Sequence, residues 1–201
     1  MILQKLPKVL QIVADNLKGK DIPYSLIGAF ALNSYGLPKY TADLDLLTEG
    51  RFWPEISAIM ERLGYNCFQK TRSFAQFDSE LGVYGRIDFM FISTSEGRDI
   101  LKRSLVVKDE VLGDHPVIQP TDFIILKLMA IANNPLRASH DEGDIVSTLR
   151  LFKKEMIPSR FEPLDRERIY LFAERFEQRD KFDSLFEKVF SGKNDPDRFE
   201  L

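Results

Sequence analysis

The sequence predicts a mixed α/β domain over residues 1–119, with a short mixed twisted sheet flanked by helices, and a helical region over residues 120–201 packed against it. Two observations support this division. Before residue 119, short β-forming runs alternate with segments of helical periodicity, whereas after Pro120 only helical periodicity remains. Apolar residues make up 44% and charged residues 29% of the chain, the usual balance of a globular protein that buries a core.

The first half of the predicted domain alternates helix and strand. A helix is predicted before Gly19, because leucine, isoleucine and valine recur there at helical spacing. The run IPYSLIG predicts a short strand that ends at Gly28, after which AFALNSYG resumes a helical pattern. A second strand is predicted from Asp43 to Leu47, where polar and apolar residues alternate strictly.

The remaining elements follow from the same periodicities. RFWPEISAIMERLGY predicts a helix closed by Gly64, and EGRDILKRS predicts a short one. Strands are predicted around SFAQFDS and VYGRIDFMFIS, and SLVVKDEVLGDHPVIQP predicts a hairpin that turns at Gly113 and Asp114. The helical region contains four predicted helices, TDFIILKLMAIANN, HDEGDIVSTLRLFKKEM, LDRERIYLFAERF and DKFDSLFEKVF, and ends in a polar tail, SGKNDPDRFEL, that is predicted to be loose.

Composition and motif content exclude several classes of protein. The net charge of −3 gives the whole chain no strong bias toward nucleic acid, and no stretch reaches the ~20 apolar residues of a membrane span. Cys67 is the single cysteine, which excludes an internal disulfide, fits a cytoplasmic protein, and predicts a small core residue. Only two histidines are present, and no serine-hydrolase or Walker motif occurs.

Two aspartates on the predicted second strand are candidate metal ligands. Asp43 and Asp45 are two residues apart, so both side chains lie on one face of a strand, a few ångströms from each other. Carboxylates in this arrangement can bind the Mg²⁺ ions that phosphoryl transfer requires. The same spacing also occurs on solvated strand edges, so the pair alone leaves both interpretations open.

Two other segments add to this candidate site. Gly28 lies between a predicted strand and a helix N-terminus, where backbone N–H groups favour a phosphate, although an ordinary tight turn has the same pattern. Asp88 lies in GRIDFMF, an apolar β-forming run in which an unpaired acid is costly to bury. Taken alone, Asp88 is either an exposed strand residue or the partner of Arg86.

Together these segments resemble the nucleotidyltransferase superfamily, which has the polymerase-β-like fold and includes the minimal nucleotidyltransferases. The family pattern is an apolar residue, Gly, Gly or Ser, then Asp-x-Asp or Asp-x-Glu, and later an acidic residue on a neighbouring strand. The run LIGAFALNSYGLPKYTADLDLL is similar to a subgroup that contains abortive-infection toxins. The matching residues are Ile27, Gly28, Ala31, Tyr35, Gly36, Thr41, Asp43, Asp45 and, further on, Asp88. Ala29 replaces the second Gly or Ser of the pattern, and Lys39 stands where Arg is usual.

The helical region extends the resemblance. Its run QPTDFIILKLMAIANNPLRASHDEGDIVSTL is similar to the subgroup's lysine-bearing helix and the polar positions after it. Lys127, Arg137, Asp141 and Asp144 match, and His140 stands where the family prefers Lys. Taken alone, Lys127 is a lysine whose charged end reaches solvent from a helix edge.

The resemblance implies a Mg²⁺- or Mn²⁺-dependent enzyme that moves a nucleoside monophosphate from an NTP to an acceptor. Asp43, Asp45 and Asp88 would bind the metal ions, and Asp88 would help to deprotonate the acceptor hydroxyl. The expected nucleotide contacts are Gly28, Ala29, Lys39, Thr41, Lys127 and Arg137.

The resemblance leaves the acceptor and the biological role open. RNA ends, a protein hydroxyl and a small molecule are all candidate acceptors, and the subgroup implies a toxin with an antitoxin protein as partner. The alternative function is a catalytically silent nucleotide-binding or partner-binding module of the same fold. A plain α/β domain of unrelated function would instead leave Asp88 far from Asp43.

Overall fold

The computed structural model describes residues 6–79, 84–110 and 112–191. The chain forms two compact units. The first contains Met1–Ser34 and Pro38–Ile118, and the second contains Tyr35–Leu37 and Gln119–Leu201. The predicted loose tail, apart from Ser191, and the first five residues lie outside the described part of the chain.

The first unit is built on a seven-stranded mixed sheet. Its strands are β1 (Tyr24–Leu26), β2 (Asp43–Glu49), β3 (Tyr65–Lys70), β4 (Phe74–Ser79), β5 (Arg86–Ile92), β6 (Leu105–Val107) and β7 (His115–Val117). Its helices are α1 (Leu6–Lys18), α2 (Gly28–Ser34), α3 (Trp53–Arg62) and α4 (Ser95–Arg103), with a 3₁₀ turn at Gly50–Phe52. The predicted mixed α/β class is therefore confirmed.

The strand order places β2 in the middle of the sheet. The order is β3-β4-β5-β2-β1-β7-β6. Strand β2 pairs with β5 in parallel and with β1 in antiparallel orientation. Strands β6 and β7 form the predicted hairpin, and β7 continues the sheet in parallel with β1. Strand β2 therefore has a neighbouring strand on each side. Because β2 and β5 are paired residue by residue, each side chain of β2 lies beside a side chain of β5 on the same face of the sheet.

One face of the central strands forms an aromatic core. Leu44 and Leu46 of β2 are fully buried, as are Ile87 of β5 and Phe77 of β4. The Trp53 ring of α3 stacks on Phe77 with a centroid distance of 5.9 Å. Since alternate residues of a strand point to opposite faces, this packing leaves the other face of β2 and β5 for the polar side chains.

Buried polar contacts fix the β1–β7 side of the sheet. The Tyr24 hydroxyl lies 3.0 Å from Nδ1 of His115, and Nε2 of His115 lies 2.6 Å from the carbonyl oxygen of Leu112. His115 is 4% exposed. Burial lowers the pKa of His115 below its ordinary value of 6.5, although the hydrogen bond to Leu112 partly offsets this effect. Burial therefore disfavours the charged form of His115.

Two predictions for the first unit are wrong. Strand β3 was not predicted, because it is exposed after its first residue and shows no alternation of polar and apolar residues. Cys67 lies on β3 and is exposed, so it is not the core residue that its small apolar character suggested. Both errors have one cause, since an edge strand with little burial leaves a weak pattern in the sequence.

The second unit consists of helices. They are α5 (Pro120–Asn133), α6 (Ala138–Lys153), α7 (Arg166–Arg175) and α8 (Arg179–Phe190), with a 3₁₀ turn at Pro135–Arg137. Its core is formed by buried residues of all four helices, among them Ile125, Leu128, Leu149, Ile169 and Phe182. Tyr35 is fully buried against the edges of the Phe123 and Phe161 rings.

A buried ion pair joins two helices of this unit. Asp122 of α5 is fully buried, and the guanidinium of Arg168 in α7 donates a hydrogen bond to its carboxylate. The helices that were predicted from periodicity are thus packed into one bundle by apolar faces and by this pair. Among the described residues, no helix has the length and apolar character needed to cross a membrane.

Candidate active site

The pairing of β2 with β5 gathers the three predicted acidic residues on one face. Asp45 is the direct neighbour of Asp88, and Asp43 is the direct neighbour of Arg86. Paired residues on adjacent strands point to the same face, so all four side chains share it. The side chain of Asp88 is 22% exposed and that of Asp43 is 35% exposed. The structure therefore rules out the plain α/β arrangement in which Asp88 lies far from Asp43.

Arg86 joins two of these aspartates. Its Nη2 lies 2.7 Å from Oδ2 of Asp43, and its Nε lies 3.4 Å from Oδ1 of Asp88. Burial lowers the pKa of Arg86, but the hydrogen bond to Asp43 and the charges of Asp88, Asp43 and Asp45 outweigh it, so the pKa is raised above its ordinary value. The guanidinium is thus a permanent cation among three carboxylates.

A glutamine on the next strand fixes the orientation of Asp88. Gln76 of β4 is paired with Asp88 of β5, and its Nε2 donates a hydrogen bond of 2.8 Å to Oδ2 of Asp88. A carboxylate oxygen accepts hydrogen bonds, so it is a suitable partner for the N–H donor of the Gln76 amide. Sequence reasoning missed Gln76, because its role depends on the register between β4 and β5.

Gly28 packs directly against the carboxylate of Asp45. The N–H of Ile27 donates to the carbonyl oxygen of Asp45 at 3.1 Å, which holds the turn after β1 against β2. Gly28 has φ +58°, and a Cβ there would lie 2.1 Å from Oδ2 of Asp45. A side chain at residue 28 would therefore occupy the space of that carboxylate. Residue 28 is glycine for two reasons: its backbone has a positive φ, and the Asp45 carboxylate leaves no space for a side chain.

The segment that leads into β2 is tied to α2 by hydrogen bonds. The Asn33 side chain accepts from the Lys39 backbone N–H at 2.5 Å and donates to the Lys39 carbonyl at 3.1 Å. The Thr41 hydroxyl donates to the Asp43 carbonyl at 2.9 Å and accepts from its N–H at 3.1 Å. These bonds fix the backbone at Lys39 and Thr41, just before Asp43. Ala29, another predicted nucleotide contact, is a buried residue of α2.

Lys127, a predicted phosphate contact, has two carboxylate partners within the helical unit. Its Nζ lies 2.7 Å from Oδ1 of Asp141 and 2.8 Å from Oδ2 of Asp144, both on α6. Burial lowers the pKa of Lys127, but the charges and hydrogen bonds of the two aspartates outweigh it and raise the pKa. Its side chain is 17% exposed, so it does not extend into solvent from the helix edge. Arg137 lies in the 3₁₀ turn before α6, and its side chain lies outside the described part of the structure.

A second group of possible metal ligands occurs in the helical unit. His140, Asp141 and Asp144 each offer one ligand atom, and these atoms lie within 4.8 Å of one another. However, the ammonium group of Lys127 already contacts both carboxylates. Because the Lys127 side chain is only 17% exposed and its charge offsets one of the two carboxylates, we interpret the two aspartates as counter-ions of the lysine.

The donor set of the first unit fits a hard divalent ion. Mg²⁺ and Mn²⁺ prefer carboxylate oxygens, and the three aspartates supply them from two adjacent strands. Gly28 has no side chain, and this leaves space for the carboxylate of Asp45. The three carboxylates and the Arg86 guanidinium together leave two negative charges unbalanced when the acids are ionised. A divalent cation supplies that charge.

No protein-family model matches the sequence, and a comparison with curated proteins found no match. Solved structures do resemble it. A solution structure of the antibiotic-resistance factor ANT(2'')-Ia has a TM-score of 0.59 at 14% identity, and covers 89% of this chain and 94% of its own. The lincosamide antibiotic adenylyltransferase LnuA, with lincomycin bound, has a TM-score of 0.52 at 15% identity over 70% of this chain and 94% of its own.

A third similar structure is an antigenic nucleotidyltransferase-like protein from Paracoccidioides brasiliensis. It has a TM-score of 0.51 at 12% identity, and covers 94% of this chain and 97% of its own. At these identities the likeness concerns the fold alone. The chain shares the nucleotidyltransferase-like fold of these structures, as its motifs predicted.

Proposed function

We propose that this protein transfers a nucleoside monophosphate from an NTP to a hydroxyl group of an acceptor. One observation carries the proposal: the parallel register of β2 and β5 places Asp43, Asp45 and Asp88 on one sheet face, with Gly28 against Asp45. The nucleotidyltransferase fold of similar solved structures supports the same reaction class.

The three aspartates would bind the metal ions, and the triphosphate would lie beside those ions. Mg²⁺ or Mn²⁺, when bound, would neutralise charge on the phosphates. The backbone N–H groups of Gly28 and Ala29 would contact the phosphates. Lys39, Thr41, Lys127 and Arg137 are further proposed contacts of the nucleotide.

In the proposed reaction, the acceptor hydroxyl oxygen bonds to the α-phosphorus of the NTP. The bond from that phosphorus to the bridging oxygen breaks, and pyrophosphate leaves with the electron pair. Asp88 takes the proton of the hydroxyl. Gln76 would keep the Asp88 carboxylate oriented for this step, since it donates to Oδ2 and leaves Oδ1 directed toward Arg86.

We further propose a small hydroxyl-bearing molecule as the acceptor, ahead of RNA or a protein. ANT(2'')-Ia was solved with adenylyl-2''-tobramycin, and LnuA was solved with lincomycin. Both structures match this chain over more than nine-tenths of their own length. The roles of a toxin and of an antitoxin partner rest on the sequence resemblance alone.

The experiment is a pyrophosphate-release assay with each of the four NTPs, Mg²⁺ or Mn²⁺, and panels of aminoglycosides, lincosamides and short RNAs. Mass spectrometry of the acceptor identifies the added nucleotide. Asp43→Asn must abolish the release, whereas Asp99→Asn should leave it unchanged. Asp99 is a suitable control, because it lies on α4 and pairs with Lys102 at 3.1 Å. Nucleotide binding without release by the wild type would favour the catalytically silent module.

A further inference from the structure

The guanidinium of Arg86 occupies the position of a counter-ion within the acidic cluster, which we define as Asp43, Asp45 and Asp88. Its two contacts reach aspartates on different strands, at 2.7 Å on Asp43 and 3.4 Å on Asp88. Asp45 also acts on it through its charge. Arg86 is therefore a cation that bridges two of the three carboxylates and is attracted by the charge of the third.

The arginine is held by charge and is not enclosed by the core. Its side chain is 40% exposed, and its strand neighbour Asp43 is 35% exposed. Ile87 and Phe89 of β5 lie on the opposite face of the sheet, where they are buried. The Arg86 side chain therefore borders solvent, although its Nε atom is buried.

Arg86 contacts one carboxylate oxygen on each of two proposed ion ligands. Oδ2 of Asp43 accepts its hydrogen bond, and Oδ1 of Asp88 faces its Nε. The other oxygen of Asp88 already accepts from Gln76. An ion that binds these two oxygens competes with the guanidinium for them, and the two cations repel each other.

We propose that Arg86 is the built-in competitor of the divalent ion: it stabilises the acidic cluster in the metal-free protein and releases Asp43 and Asp88 when the ion binds. This inference rests on the proposed function, because it takes the three aspartates as the ion ligands. It makes Arg86 a positioning residue that sets the affinity of the site, in addition to the residues that touch the nucleotide.

The expected effect is large enough to measure. A single and a double positive charge about 5 Å apart repel strongly enough, even at the dielectric constant of water, to change affinity by about tenfold. Replacing Arg86 by a neutral side chain should therefore tighten the binding of Mn²⁺ by about tenfold or more at low ionic strength. The same change should lower the thermal stability of the metal-free protein, because the carboxylates then repel one another.

The test is a titration with Mn²⁺, followed by electron paramagnetic resonance, of the wild type, Arg86→Gln and Arg51→Gln. Arg51 is a matched control, since its Nη2 pairs with Oε1 of Glu49 at 3.0 Å, at the opposite end of β2 from Asp43. Thermal unfolding of each protein is measured with and without Mn²⁺. Arg86→Lys, which keeps the charge but loses the two-pronged contact, should give an intermediate affinity.

The proposal predicts that Arg86→Gln binds Mn²⁺ more tightly than the wild type and gains more thermal stability from it, while Arg51→Gln matches the wild type. If Arg86→Gln folds only when Mn²⁺ is added, the competition is supported as well. Equal or weaker binding by Arg86→Gln would overturn the inference and leave the metal site in place. A lack of Mn²⁺ binding by every protein would instead overturn the proposed metal site itself.

Discussion

Replacing Gly28 by alanine tests the contact between the turn after β1 and the Asp45 carboxylate. The left-handed backbone at φ +58° costs a residue with a side chain about 1–2 kcal/mol. In addition, the new methyl group would lie 2.1 Å from Oδ2 of Asp45, whereas ordinary contacts begin at 3.4 Å. The carboxylate must therefore move by about 1 Å, a displacement that can reduce catalysis by about 100-fold.

Gly64→Ala provides the matched control for this prediction. Gly64 has φ +79°, and a Cβ there meets nothing within 4 Å. It therefore carries the same backbone strain as Gly28 but no clash. We expect Gly64→Ala to lose a few degrees of thermal stability, because about 1–2 kcal/mol corresponds to that shift in a chain of this size, and Gly28→Ala to lose at least as much.

The assay compares kcat/KM for pyrophosphate release and the Mn²⁺ affinity of the two variants. Gly28→Ala should lose about 100-fold in kcat/KM and bind Mn²⁺ more weakly, whereas Gly64→Ala should retain both values. Equal kcat/KM in the two variants would refute the reasoning, because it would show that the position of Asp45 against Gly28 does not affect the site.

Three further predictions concern single residues. Asp88→Asn should lower kcat by about 10²- to 10⁴-fold, as the loss of a general base does, while calorimetry still detects nucleotide binding; an unchanged kcat would exclude Asp88 as the base. Lys127→Met should lower the free energy of unfolding in urea by about 3–5 kcal/mol, because it leaves Asp141 and Asp144 buried without their cation; a loss below about 1 kcal/mol would contradict the contacts. For His115 the folded pKa lies below 6.5, so the unfolded state binds the proton first and stability should fall as the pH drops from about 6.5 through the folded pKa. Thermal unfolding between pH 7 and pH 5 measures this slope, and His115→Phe should reduce it; an equal slope in the variant would assign the effect to other groups.

The local patterns of the sequence predicted much of the first unit. Strict alternation from Asp43 to Leu47 identified β2 and the face that its acids share, and the structure extends this strand to Glu49. Gly28 was identified from the change of period between strand and helix. These predictions succeed because they depend on residues close together in the chain, where side-chain period follows directly from backbone geometry.

The contacts around Asp88 depend on strand pairing and could not be read from one segment. The sequence left Asp88 as either an exposed residue or the partner of Arg86. The structure pairs the two, but it also joins Arg86 to Asp43, 43 residues away in the chain. That bond requires the parallel register of β2 and β5, which no local pattern specifies.

In the helical unit, the partners of Lys127 likewise could not be predicted from a local pattern. Its place in an apolar helix indicated either a lysine that reaches solvent or a phosphate contact, and neither alternative included a carboxylate partner. The pairing with Asp141 and Asp144 arises from the packing of α5 against α6. The helices were predictable from periodicity, whereas the residues facing each other across them were not.

Anomalous diffraction from crystals soaked with Mn²⁺ tests the central claim most directly, because it locates the ion without reference to activity. A peak coordinated by carboxylate oxygens of Asp43, Asp45 and Asp88 is the predicted result, with Arg86 turned away from at least one of them. A peak on His140, Asp141 and Asp144 alone, with none on the β2–β5 face, would contradict it.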